Sequence, residues 1–304
     1  AVKWWHHERD KWADSHADRV MKRLADNSFK TLGKLPADQI TPLQVIAVIK
    51  KIEARDALDV ANRVKQCIKA VYRYAIQHGI VTTNPAGDLD GIVKARKVTH
   101  RHSLPKKELP EFLNCLEGYS KRGRILTQLS IKLLVLTFVR SIEIRGARWE
   151  EFDLEANLWR IPAERMKMKV EHLVPLSQQS IDVIQRIRVI TGRYELVFPS
   201  EVNRTKTMSD NTMRQAVFKM GFDGKTLGKS KAVPHGFRAT ASSILNEEGF
   251  NPDAIERQLA HQERNGVRAA YTHHARYIDE RTKMMQWWAD FLDAQASSYC
   301  VEPS

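Results

Sequence analysis

The residues with chemical reach in this sequence are cations, histidines and a tyrosine. Arg140 stands in Thr137-Phe138-Val139-Arg140-Ser141-Ile142-Glu143, where a long apolar run ends. Lys167 and Lys169 lie in Arg165-Met166-Lys167-Met168-Lys169. His235-Gly236-Phe237-Arg238 follows Pro234, Leu259-Ala260-His261 closes another helical stretch, and Tyr271 comes ten residues after His261. Taken singly each has an ordinary explanation: an arginine at a helix C-terminus balances the dipole, lysines populate turns, and a lone histidine is structural. Other chemistries lack their signatures. There is no P-loop, no dinucleotide-binding glycine fingerprint, no His-Glu-x-x-His and no nucleophile elbow. The carboxylates are scattered, which disfavours a two-metal nuclease. Cys67, Cys115 and Cys300 are odd in number and widely spaced, so neither a disulfide framework nor a cysteine zinc site is expected, and the expected compartment is the reducing cytoplasm.

These residues need a scaffold of helices with a few short strands. The 304 residues suggest two domains at roughly 150 residues each. The excess of 49 Lys+Arg over 36 Asp+Glu gives a net charge of +13 and points to a polyanionic partner. No apolar run approaches the length of a membrane span, so a soluble protein without a membrane partner is expected. The first 90 residues read as helices only. Thr41-Pro42-Leu43-Gln44 is a capping box with proline at the first helical position, and Ile40 and Val45 can form a staple across it. A helix over about 57–78 stops at Gly79, with Val60, Val64, Ile68, Val71 and Ala75 on its apolar face. Asn62, Gln66, Lys69 and Arg73 share the same spacing on another face, which is either a solvated face or one that tracks phosphates. Residues 91–107 contain Lys94, Arg96, Lys97 and Arg101 and no acid, and read as a linker lying along nucleic acid. Beyond it, 125–139 is a long apolar core helix. Leu158–Pro162 and His172–Leu176 flank a basic turn as a hairpin, Leu196–Pro199 is a third possible strand, and helices follow near 178–192, 209–220, 236–248, 252–260, 264–277 and 279–294.

In order and spacing these segments resemble the tyrosine recombinase (phage integrase) family, and within it the integrases of prophages and genomic islands. The resemblance is carried by Arg140-Ser141-Ile142-Glu143-Ile144-Arg145-Gly146-Ala147-Arg148-Trp149, by His235-Gly236-Phe237-Arg238, by Leu259-Ala260-His261 and Ala269-Ala270-Tyr271, and by Met285-Gln286-Trp287-Trp288-Ala289-Asp290. It spans about residues 100–295, and the helical first block looks like the family's core-DNA-binding domain.

The resemblance implies a mainly α fold: a helical core-DNA-binding domain over 1–90, a basic linker over 91–104 and an α+β catalytic domain over 105–304 with a small antiparallel sheet and a C-terminal docking tail. It implies two domains that grip double-stranded DNA from opposite sides, with binding that weakens steeply with salt. It also implies site-specific recombination that integrates or excises a mobile element, without metal or cofactor, through a 3′-phosphotyrosyl intermediate and a Holliday junction. Tyr271 would be the nucleophile, and Arg140 and Arg238 would present guanidinium forks to the non-bridging oxygens. Lys167 would protonate the leaving 5′-oxygen, with Lys169 the alternative because hairpin register is open at this stage. His235 would act in proton transfer at the tyrosine, His261 would donate to a phosphate oxygen, and Glu143 would orient the arginines or support the fold rather than react. His273 and His274 read as DNA-facing or solvated. The implied assembly is a monomer in solution and a homotetramer on two attachment core sites, with DNA-bending accessory proteins as possible partners. The same chemistry would serve a type IB topoisomerase, and the same fold a non-catalytic DNA-binding protein. The segment 279–304 favours the recombinase, whose relatives use such a tail to dock on a neighbouring protomer. The chain opens at Ala1, and a further arm-type DNA-binding domain upstream is expected.

Overall fold

The computed structural model describes residues 1–94, 102–261 and 277–299, and the chain divides into two units, 1–99 and 100–304, each with its own core. The first unit contains α1 (Val2–Arg9), α2 (Asp14–Leu24), a π-helical turn (Ala25–Phe29), α3 (Lys30–Leu32), α4 (Pro42–Glu53) and α5 (Leu58–Gln77). Thr41 starts α4: its N–H donates to Gln44 Oε1 at 2.8 Å, and the Gln44 N–H donates to Thr41 Oγ1 at 3.4 Å. A cap of this kind contributes about 1 kcal/mol. Helix α4 buries Val45, Val48, Ile49 and Ile52, and α5 buries Ala61, Val64, Ile68, Tyr72 and Ala75. Steps of three and four put each set on one face, so the two helices close on each other. Helix α5 ends before Gly79, whose φ of +66° suits glycine.

The second unit runs α6 (Leu109–Glu117), α7 (Ile125–Thr137), α8 (Ser141–Arg145), β1 (Phe152–Asp153), β2 (Leu158–Ile161), β3 (His172–Pro175), α9 (Gln178–Thr191), α10 (Asp210–Lys219), α11 (Gly236–Glu247), α12 (Pro252–Gln258) and α13 (Ile278–Ser297). Helix α7 is apolar on nearly every side and is buried accordingly, with α6, α9, α10, α11 and α13 packed around it. Trp288 of α13 fills the core beside it and donates its Nε1–H to the Val135 carbonyl at 2.9 Å.

The sheet is antiparallel, in the order β1-β2-β3, with Phe152 opposite Trp159 and Ile161 opposite His172. The expected hairpin is therefore present, but the third strand differs. Leu196 and Pro199 make only isolated pairings, with Arg148 and Thr207, and the edge position belongs to Phe152–Asp153. The backbone of that run is taken up elsewhere, with the Val197 N–H donating to the Ala147 carbonyl at 2.9 Å and the Phe198 carbonyl accepting from the Met208 N–H at 2.9 Å, which keeps it out of the sheet. No helix among the described residues is long and apolar enough to cross a membrane.

Candidate active site

Two helix ends build the centre of the site. Helix α7 stops when Phe138 adopts a left-handed conformation, φ 39° and ψ 32°. This turns its carbonyl toward Arg238, whose Nη1 donates to it at 2.7 Å. Beyond α12, Ala260 also has positive φ, +48°. There the Leu259 carbonyl accepts from Arg238 Nη2, and the Ala260 carbonyl accepts from Arg140 Nη2 at 3.0 Å. A left-handed non-glycine residue costs about 1–2 kcal/mol, so two of them meeting at one pair of arginines is a feature the packing sustains.

Arg140 is not the last residue of α7, as the sequence suggests, but the N-cap of α8, with φ −74° and ψ 147°. The buried Glu143 carboxylate accepts from the Arg140 N–H at 2.7 Å and from Arg140 Nη1 at 2.8 Å. One carboxylate thus caps the helix and fixes the guanidinium. His261 follows Ala260, with Nε2 3.4 Å from Arg238 Nη2 and Nδ1 2.8 Å from Glu256 Oε2. Glu256 thereby orients the ring and leaves Nε2 on the arginine side.

The electrostatics favour an anion. Arg238 is only 4% exposed. Burial, then the field of Arg140, lowers its pKa to about 10, while Glu143 and Glu256 pull the other way. It therefore remains a cation at neutral pH. The C-terminal ends of α7 and α12 stabilise that cation with backbone carbonyls, which carry no net charge to cancel it.

His235 is half-buried just before α11, three residues ahead of Arg238 and on the same helical face. Gly236 between them is required by close approach, because a Cβ there would lie 2.0 Å from the His102 carbonyl oxygen. Residues 102–104 run across the start of α11, where the Thr240 hydroxyl donates to the Leu104 carbonyl at 2.8 Å. Lys167 is exposed in the β2–β3 turn. Lys169 has a φ of +54° and turns its amine back toward the Glu164 carbonyl at 3.4 Å. Tyr271, His273, His274, Arg96, Lys97, Arg101 and Cys300, like the helix expected at 264–277, lie outside the described residues except for Tyr277. In the first unit, Gln66 and Arg73 are exposed on α5, while Asn62 and Lys69 are half-buried, and the Lys69 amine pairs with Asp90 at 3.1 Å. Lys94 is exposed, and its N–H donates to Glu53 Oε1 at 2.8 Å. Val93 packs in the first core and Leu104 in the second, so both described ends of the basic segment are anchored. Among the described residues no group of three or more His, Cys, Asp or Glu is placed to hold a metal ion.

Sequence reasoning missed Glu151, Arg165, His172, Gln258 and Arg281, which brace the site from behind. Arg281 donates to Gln258 Oε1 and to the Leu173 carbonyl, and Gln258 Nε2 donates to the Thr137 carbonyl at 3.1 Å. This chain of contacts joins α13, β3, α12 and the end of α7. His172 is buried beside it, and its Nε2 has no hydrogen-bond partner among the described residues. Burial first, then the positive fields of Arg281, Arg238 and Arg140, lowers its pKa from 6.5 to about 3. The folded state keeps it neutral while the unfolded chain protonates it below about pH 6.5. Its contribution to stability is thus complete above pH 6.5 and is lost as the pH falls toward 3. Between pH 7 and pH 5 this group alone should cost about 2 kcal/mol. His172→Gln should flatten the dependence of the urea midpoint over that interval, and an unchanged slope would refute a neutral buried imidazole.

Comparison with known proteins gives this geometry a setting. A profile of the "Phage integrase central domain" matches residues 1–92, and one of the "Phage integrase family" matches residues 102–277. The chain belongs to the phage integrase family. The integrase of Enterobacteria phage P4 is 44% identical, over 97% of this chain and 69% of that protein. The prophage integrase IntA of Escherichia coli (strain K12) is 32% identical, over 99% of this chain and 71% of that protein. Among solved structures, lambda integrase, crystallised as a tetramer bound to a Holliday junction, superposes with a TM-score of 0.70 at 14% identity, covering 87% of this chain and 77% of that one. At that identity the likeness speaks to the fold, and it is the fold of the family.

Proposed function

We propose that this chain, a tyrosine-type site-specific recombinase, integrates or excises a mobile element by cutting and rejoining DNA at attachment core sites. The observation that carries the reading is the cluster of Arg140, Arg238 and His261 held at two helix ends, with the Arg238 cation seated on uncharged carbonyls. Phosphoryl transfer depends mainly on positioning and on stabilising charge at the non-bridging oxygens, and two preorganised guanidinium forks supply both. In this reading the Tyr271 phenol oxygen attacks phosphorus as the bond from phosphorus to the 5′-oxygen breaks. His235 takes the phenol proton, Lys167 gives a proton to the leaving 5′-oxygen, His261 donates to a non-bridging oxygen, and Glu143 holds Arg140. A 5′-hydroxyl from a second duplex then reverses the step, and because the phosphotyrosyl ester conserves the bond energy, no nucleotide cofactor is consumed.

The two units take the roles of a core-DNA-binding domain (1–90) and a catalytic domain (105–304), joined by the basic segment 91–104. Asn62, Gln66, Lys69, Arg73, Lys94, Arg96, Lys97 and Arg101 contribute to the DNA contact. The lambda integrase tetramer on a Holliday junction is the precedent for a homotetramer on two duplexes. A DNA-associated protein of the cytoplasm fits this role.

The test is covalent trapping on a nicked duplex carrying the element–chromosome junction sequence. A recombinase gives a denaturant-resistant protein–DNA adduct and joins strands between two such duplexes. A non-catalytic binder gives no adduct, and a type IB topoisomerase relaxes plasmids that lack the site and yields no recombinant.

A further inference from the structure

We propose that Arg165 is a positioning residue for the general acid: clamped between the Glu151 carboxylate and the Glu143 carbonyl, its guanidinium sets the β2–β3 turn so that the Lys167 ammonium reaches the leaving 5′-oxygen. The inference rests on the role given to Lys167 above.

Strand pairing ends at Ile161 opposite His172, and the loop between them has no ladder to fix its course. Lys167 is exposed on that loop, and a lysine side chain has four flexible carbons, so where its amine can reach depends on where the turn is held. Two neighbours hold it. Met166 is buried in the core of the second unit. Arg165, with a side chain only 17% exposed, donates through Nη1 to both Glu151 oxygens and through Nη2 to the Glu143 carbonyl. The Glu151 carboxylate is itself buried and also accepts from Trp159 Nε1 at 2.9 Å. Gly146 makes room for the clamp, since a Cβ there would lie 3.0 Å from Arg165 Nη2.

Glu143 therefore serves two arginines. Its carboxylate holds Arg140, and its carbonyl holds Arg165. The phosphate-binding arginine and the lysine turn are tied to the same residue of α8, so their separation is set by one short piece of backbone. A plain structural ion pair would make Arg165 matter for folding. The positioning role makes it matter for one proton.

That proton can be removed from the problem. With oxygen at the bridging 5′ position, the leaving alkoxide needs a proton from Lys167. With sulfur there, the P–S bond breaks to a thiolate that leaves unprotonated. Single-turnover cleavage of nicked junction duplexes with bridging 5′-oxygen or 5′-sulfur should be compared for Lys167→Ala, Arg165→Lys, and the paired Arg165→Gln/Glu151→Gln variant, which leaves no buried carboxylate unpaired. Each should cleave the oxygen substrate about 100-fold more slowly, as befits loss of a general acid, yet cleave the sulfur substrate within about fivefold of the unsubstituted protein. If Lys167→Ala is rescued by sulfur and both Arg165 variants are not, the inference is wrong. If Lys167→Ala is not rescued, the acid assignment fails and takes the inference with it. Loss of a cooperative thermal transition in both Arg165 variants would make the role purely structural and likewise overturn it.

Discussion

Tyr271→Phe abolishes the covalent adduct with junction DNA and leaves the dissociation constant for that DNA nearly unchanged: this is the largest expected effect. The substitution removes one oxygen, the atom proposed to form the bond to phosphorus. The phosphate contacts assigned to Arg140, Arg238 and His261 are untouched, so binding persists. Tyr277→Phe is the matched control and keeps adduct formation. Tyr277 is half-buried at the N-cap of α13, in a left-handed conformation with φ 49°, which fits a joint at the head of a helix. Denaturing gels of both variants on a nicked duplex decide the matter, and the opposite pattern would transfer the nucleophile to Tyr277.

The second large effect is at Arg238. Arg238→Lys keeps a positive charge but cannot span the Phe138 and Leu259 carbonyls while offering a further donor to an anion. Single-turnover cleavage should fall by about 10²–10³-fold, the loss typical of removing preorganised donors from a developing oxyanion. Binding of uncleaved DNA should change far less, because the proposed contact with the DNA backbone draws on many other cations. A variant that binds weakly but cleaves at the normal rate once bound would place Arg238 in ground-state binding instead.

Much of this was legible in the sequence, for identifiable reasons. The Thr41 cap, the apolar α7 and the β2–β3 hairpin are encoded within a few residues, where propensity and periodicity act directly. Arg140, Arg238 and His261, which the structure brings together, stood in short motifs in a fixed order. What could not be read was non-local. Arg165 and Glu151 are fourteen residues apart and meet only because the turn before β1 packs against the β2–β3 hairpin. The burial of His172 follows from α13 closing over β3, which no local pattern announces. The positive φ of Phe138 and Ala260 is invisible because neither residue is glycine. Arg140 looked like the end of α7 because the break at Phe138 left no mark in composition. The strand expected at Leu196–Pro199 had suitable side chains, but its backbone bonds to Ala147 and Met208, partners that no local pattern announces.

The clasp around Arg238 has a consequence for how such a protein can evolve. Its two main-chain acceptors are the carbonyl oxygens of Phe138 and Leu259. Point mutation can replace any side chain, but it cannot delete a carbonyl. As long as the two helices end where they do, the guanidinium keeps its seat through extensive turnover of the residues around it. Selection then has to guard the path of the chain and a few tips, while most neighbouring positions are free to drift. Lineages built on such a scaffold can diverge until little but the fold is shared, as with the 14% identity to lambda integrase.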